Sequence, residues 1–197
     1  MRRHNQNLKN FEPLVIGAIP KDVPLCSVEF WFQDEARVGQ QCTLTHVWAE
    51  KGSRPRLIRQ QQYEYAYIFG AVCPSSGKSV GLVLPSSNSE AVKLHLKAIS
   101  YRVLNNKHAV VIMDNAGWHH AGKLPEFDNI TLMYLPPYSP ELNPQEQVWH
   151  QMRYIYLANR CYKDYDDIVN SAFEAWNKVT ESKDFTITLT TREWLNI

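Results

Sequence analysis

Apolar residues along this chain recur with two different periods, and the places where one gives way to the other mark out its elements. Residues 1–26 mix polar and apolar positions around three prolines, Pro13, Pro20 and Pro24, and sustain neither period. They read as a lead-in segment. From Ser27 the run S-V-E-F-W-F-Q is aromatic and β-prone and closes on Asp34 and Glu35, which predicts a first strand. Residues 43–49 alternate, K-G-S-R-P at 51–55 has the composition of a turn, and residues 56–60 resume extended character, so this stretch predicts a hairpin. Residues 65–73 and 79–85 predict two further strands around a short Pro/Ser loop, completing an antiparallel meander.

The period then changes. Val92, Leu96, Ile99 and Val103 fall at helical spacing, and Ser87, Asn88 and Ser89 are each able to cap that helix. Residues 108–113 form a continuous apolar run of strand length, the composition of a parallel strand buried on both faces, and the run ends at Asp114. Residues 130–135 predict another buried strand. A proline-rich loop at 136–140 then leads to Asn143 as helix cap and Pro144 as the first helical residue, where the missing N–H is no loss. Ile168, Ala172, Ala175, Trp176 and Val179 share one face of a closing amphipathic helix. This order of elements predicts a mixed sheet flanked by helices, α/β or α+β in class.

Composition narrows the possible functions. A chain of 197 residues, 44% hydrophobic and 21% charged, suits one ordinary globular domain. Its net charge of +1 excludes a globally basic nucleic-acid binder, so any such contact has to be local. One local concentration exists, because Lys51, Arg54, Arg56 and Arg59 cluster at the predicted hairpin. They form either a solvated turn or a phosphate contact, with Trp48 packed beneath or stacked on a base. The four cysteines, Cys26, Cys42, Cys73 and Cys161, lie far apart with no C-x-x-C pair, which excludes a zinc ribbon and leaves reduced, structural thiols. No stretch approaches the roughly 18 apolar residues of a bilayer span, and Glu12, Pro13 and Pro20 interrupt the only signal-like segment. A cytoplasmic protein with no membrane partner is expected.

Three acids stand at element boundaries: Asp34, Asp114 and Glu146. Each has a local explanation. Asp34 and Glu35 can open a turn, Asp114 can form an Asx-turn with Asn115 and Gly117, and Glu146, third in a helix capped by Asn143, fits a capping box. Glu141 competes with Glu146 but sits in the loop. A shared role accounts for all three at once: hard divalent cations take carboxylate oxygens, and a two-metal site draws several carboxylates from separated parts of a chain. The adjacent His119 and His120 cannot both face one ion from a strand and lack an i+4 histidine, which argues against zinc. His119 is expected to contact the ligands or substrate, and His120 to face solvent.

The segments F-Q-D-E-A-R-V-G, V-W-A-E-K-G-S-R-P, I-F-G-A-V, M-D-N-A-G-W-H and L-P-P-Y-S-P-E-L-N-P-Q-E-Q-V-W resemble the catalytic domain of DDE transposases. The branch is the bacterial insertion-sequence relatives of the Tc/mariner superfamily, and the proline-rich block is the most specific of the matches. The resemblance implies an α/β, ribonuclease H-like fold with a mixed five-stranded sheet flanked by helices. Its first strand, fourth strand and late helix would supply Asp34, Asp114 and Glu146 as catalytic residues holding two Mg²⁺ or Mn²⁺ ions. Asn115, His119 and Asn143 would surround them, and Lys51, Arg54, Arg56 and Arg59 would contact DNA. Asp114 and Glu146 are 32 positions apart, slightly fewer than in the superfamily, which a compact connection after Pro125 explains.

By the same resemblance the activity is DNA cleavage and strand transfer, with transposon ends and target DNA as partners and a homodimer formed on DNA. Full-length relatives carry an N-terminal helix-turn-helix region, for which the 26 residues before the first strand leave no room. The expected organisation is therefore a catalytic domain at 27–180 without that region, with 181–197 as a tail packed on or trailing it. Two alternatives stay open: an inactive or domesticated remnant serving as a nucleic-acid-binding or assembly module, and a ribonuclease H-like nuclease that cuts without strand transfer.

Overall fold

The computed structural model describes residues 13–41, 44–115, 124–137, 139–192 and 194. Its centre is β1 (Val28–Gly39), a strand whose two sides are used differently. One side pairs antiparallel with β2 (Tyr65–Cys73), which in turn pairs antiparallel with β3 (Lys78–Leu84). The other side pairs parallel with β4 (His108–Met113), and β4 with β5 (Ile130–Tyr134). The order β3-β2-β1-β4-β5 is a mixed five-stranded sheet.

Helices cover both faces, which is why β4 carries no polar alternation. Val110 and Ile112 enter one apolar cluster, and Ala109, Val111 and Met113 the opposite one. On the second face lies α1 (Ser89–Arg102), burying Val92, Leu96 and Ile99 against Trp31 and Phe69. Of its three candidate caps, Asn88 serves, accepting from the Ala91 amide at 2.9 Å. On the first face lie α2 (Gln145–Gln151), continued by a π turn at Met152–Tyr156, and α3 (Tyr165–Thr180). Ile168, Ala172, Ala175, Trp176 and Val179 of α3 are all buried, as the spacing predicts.

Three local expectations need correction. Residues 13–18 are helical, with Val15 fully buried in the first cluster and Ala18 packed against it, and so short a helix leaves no period to detect. β1 does not close at Asp34 but runs on to Gly39, held by its pairing with β2. The predicted hairpin has its turn, with Ser53 N–H donating to Glu50 O at 3.0 Å and Gly52 at φ +88°, yet residues 44–64 form no strand. Its arms bond outward instead: the Thr45 amide donates to Asn159 Oδ1 at 2.9 Å, and Gln60 exchanges two bonds with the Tyr162 backbone. Residues 181–197, expected as a tail packed on or trailing the domain, include a helix, α4 (Lys183–Thr190), that buries Thr186 and Thr190.

Of the described thiols Cys73 is buried and suits a structural role, whereas Cys26 and Cys161 are exposed. No helix among the described residues is long and apolar enough to cross a membrane.

Candidate active site

The parallel register between β1 and β4 brings two of the acids together. The last paired residues are Phe32 and Ile112, both in the first-face cluster. Because side chains alternate along a strand, two residues further on the chain returns to the same face. Those residues are Asp34 and Asp114. β1 outruns β4 here, so the edge beside Asp34 opens at the carboxyl end of β4, where ligand sites of such sheets concentrate.

The third acid arrives on α2. After Leu135, whose amide donates to Met113 O at 2.8 Å, the prolines stiffen the chain into a 3₁₀ turn at Pro140–Leu142 that buries Leu142 completely. Asn143 follows in extended conformation, its Nδ2 donating to Gln33 O at 3.1 Å and its Oδ1 accepting from the Gln145 amide at 3.1 Å. The start of α2 is thereby tied to the residue preceding Asp34. The capping box expected of Glu146 is not formed, because the Asn143 N–H donates to Pro140 O at 2.9 Å. That leaves the Glu146 carboxylate for the space in front of the sheet.

Asp34, Asp114 and Glu146 line one cavity of about 400 Å³, together with Asn115, Asn143 and a wall of Leu135 and three prolines. Glu141 is not among its lining residues. His119 lies outside the described residues. Lys51, Arg54, Arg56 and Arg59 are exposed on the excursion between β1 and β2 and are not among the residues lining the cavity.

The electrostatics of the cavity centre on Asp34. Burial, followed by the like charges of Glu35 and Glu146, pushes its carboxyl up from 3.8 to about 7. Two donors oppose this without overcoming it: the Glu35 amide at 2.9 Å from Oδ1, and Trp149 Nε1 at 3.0 Å from Oδ2. Among the described residues no three acidic, histidine or cysteine side chains are drawn together closely enough to hold a metal ion. The donor types nevertheless suit a hard divalent cation, since three carboxylates line one cavity and, among the described residues, the charges acting on Asp34 are the like charges of Glu35 and Glu146.

Sequence reasoning missed the support beneath Asp34. Gly70 is its partner across the β1–β2 ladder, and a Cβ there would stand 2.5 Å from both Trp149 and Gln145. Only glycine lets α2 settle this close to the sheet. Gln145 is fully buried with both side-chain amide atoms unpartnered, and Gln33 Oε1 is likewise unpartnered. The available signal for Trp149 was its position, one helical turn from Glu146 and therefore on the same face.

Comparison with known proteins agrees with this architecture. The profile of the family described as "DDE superfamily endonuclease" matches residues 29–169. The chain is 54% identical over 130 residues to "Uncharacterized protein y4pE/y4sA" of Sinorhizobium fredii (strain NBRC 101917 / NGR234), covering 66% of this chain and 96% of that one. It is 28% identical over 144 residues to "Insertion element IS630 uncharacterized 39 kDa protein" of Shigella sonnei, covering 70% of this chain but 42% of the relative. Among solved structures it is similar to the Mos1 strand transfer complex, with TM-score 0.57 and 15% identity over 97% of this chain and 62% of that one. It is also similar to the Mos1 mariner paired end complex with Mn, with TM-score 0.63 and 16% identity over 96% and 58%. The chain thus spans less than two thirds of the IS630 and Mos1 proteins, and the structural likeness establishes the ribonuclease H-like fold. With the family profile running across the strands and the helix that carry all three acids, the chain belongs to the DDE superfamily endonucleases.

Proposed function

We propose that this domain cuts DNA and joins the freed 3′ end to target DNA, with Asp34, Asp114 and Glu146 as its catalytic, metal-holding residues. One observation carries the reading: three carboxylates from separated parts of the chain line a single cavity at the open carboxyl end of β4, and burial with like charge raises the carboxyl of one of them, Asp34, to about 7. Asp34, within β1, and Asp114, directly after the adjacent β4, would share in holding two Mg²⁺ or Mn²⁺ ions, and Glu146, fixed at the start of α2, would complete the coordination of one. When bound, such ions lower the pKa of an attacking water and neutralise the leaving 3′-oxygen. The protein's own part is geometric. Asn143 fastens α2 to β1, the proline wall shields one side of the cavity from water, and Asn115 borders Asp114.

Hydrolysis breaks the P–O3′ bond and leaves a 3′-hydroxyl, and strand transfer then has that oxygen attack a target phosphorus while the target's own P–O3′ bond breaks. Both are in-line displacements at phosphorus, so one site serves both. The exposed Lys51, Arg54, Arg56 and Arg59 would neutralise phosphates, with DNA ends and target as partners and a homodimer formed on DNA. A catalytic domain at 27–180 extended by α4 is the organisation this reading adopts.

The test is incubation with a pre-cut insertion-element end and plasmid target in Mg²⁺ or Mn²⁺, comparing wild type with Asp114→Asn. Metal-dependent joining that the variant loses supports the proposal. Cleavage without joining selects a nuclease, and no metal-dependent reaction, even with a DNA-recognition domain fused in front, selects a binding or assembly module.

A further inference from the structure

We propose that Trp149 is a positioning residue for Asp34: its indole N–H holds one carboxylate oxygen, and with it the plane of the carboxylate, in the orientation the site requires. The inference rests on the reading of Asp34 as a metal-holding acid. Trp149 is 1% exposed, and its Nε1 donates to Asp34 Oδ2 at 3.0 Å while the Glu35 amide donates to Oδ1 at 2.9 Å. The terminal torsion of an aspartate is broad, so a carboxylate with no fixed partners samples many orientations. A donor on each oxygen removes that freedom, and each oxygen still keeps lone-pair capacity for a cation.

The donor is itself immobilised. Trp149 Cη2 lies against Gly70, the residue opposite Asp34 in the β1–β2 register, where a Cβ would come within 2.5 Å of it. Its ring packs on Trp176, with centroids 5.8 Å apart, and Trp176 sits on Gly81, the residue opposite Gly70 on β3. Asp34, Gly70 and Gly81 thus form one row across three strands, with an indole filling each glycine gap. Packing alone asks only for a ring at position 149. The hydrogen bond asks for an indole, placed with its N–H toward the acid.

Two substitutions separate these requirements. Trp149→Phe keeps a ring over Gly70 and removes the donor. Incorporating 3-benzothienylalanine at position 149 keeps the bicyclic shape and replaces N–H by sulfur, which covers the case in which the phenylalanine variant fails to fold. The measurement is Mn²⁺ binding to the DNA-free protein, by calorimetry or by the paramagnetic resonance signal of free Mn²⁺, and is independent of activity. Losing a partner that orients a ligand weakens metal affinity by about 10- to 100-fold, whereas Trp176→Phe, the neighbouring indole, should stay within about threefold of wild type.

Benzothienyl protein that binds Mn²⁺ like wild type, while Asp34→Asn loses it, overturns the positioning role and leaves the metal site standing. Equal losses for the position 149 variants and Trp176→Phe also overturn it, by tracing the effect to packing. Wild-type protein that binds no Mn²⁺, or Asp34→Asn that binds it unchanged, overturns the metal reading itself.

Discussion

Replacing Asp34 by Asn should make the metal-free protein more stable above neutral pH, even though it removes a candidate catalytic group. Burial and the Glu35 and Glu146 carboxylates raise the Asp34 carboxyl from 3.8 to about 7. The unfolded chain ionises this group near pH 4, so between about pH 4 and pH 7 the unfolded state takes up a charge that the folded state resists. The contribution is therefore absent below about pH 4, grows as pH rises and reaches its full unfavourable size above about pH 7. At about 1.4 kcal/mol per pH unit, that size is at most about 4 kcal/mol.

Asparagine is neutral throughout, but it offers one acceptor oxygen to two donors, the Glu35 amide and Trp149 Nε1. Turning an NH₂ group toward one of them costs about 1–3 kcal/mol. The net expectation is a gain of about 1–3 kcal/mol for Asp34→Asn at pH 8.5 and a loss of similar size at pH 4, with the two stability curves crossing between. Urea unfolding in chelator at several pH values measures this directly. Saturating Mg²⁺ or Mn²⁺ should reverse the order at pH 8.5, because binding to the native state stabilises the wild type and the variant has lost a ligand. Wild type exceeding Asp34→Asn at pH 8.5 in chelator would refute the reasoning, since it would mean that Asp34 ionises without cost.

Three further outcomes follow from the same geometry. Divalent-ion binding near pH 6 should release a proton from Asp34, read by calorimetry in buffers of different ionisation enthalpy, and the release should vanish by pH 9. Gly70→Ala should cost about 1–3 kcal/mol in urea unfolding and weaken Mn²⁺ binding as well, because its Cβ would press on Trp149, Gln145 and Trp176. Neutralising Lys51, Arg54, Arg56 and Arg59 together should weaken DNA binding regardless of sequence and flatten its dependence on log salt by up to about four charges' worth, measured by fluorescence anisotropy. An unchanged salt slope would remove the excursion from the DNA interface.

Elements that depend on near neighbours were legible in the residues. The apolar run of β4, the buried face of α1 and the stiff approach to α2 all follow from spacing and from what proline and asparagine do locally. Elements that depend on distant partners were not. The arms of the 44–64 excursion carry strand-like residues, but they find hydrogen-bond partners at Asn159 and Tyr162 rather than in each other. Glu146 fits a capping box in sequence, and a competing bond from the Asn143 N–H to Pro140 O decided against it. The helix at 13–18 depends on Val15 reaching a core built by residues far along the chain.

By itself the sequence offered the candidates for the chemistry: Asp34 in a β-prone run, Asp114 at the end of an apolar strand and Glu146 at the start of a helix, with carboxylates being what hard cations select. Only the tertiary structure decided that they belong together. Asp34 and Asp114 are neighbours because a parallel register, formed across 80 positions of chain, returns both to one face. Likewise, the missing side chain at Gly70 matters only once α2 lies over it, and Asp34 departs from an ordinary aspartate only once burial and two other carboxylates surround it. Hydrogen-bond register and desolvation are properties of the packed chain, so no local pattern of residues could announce them.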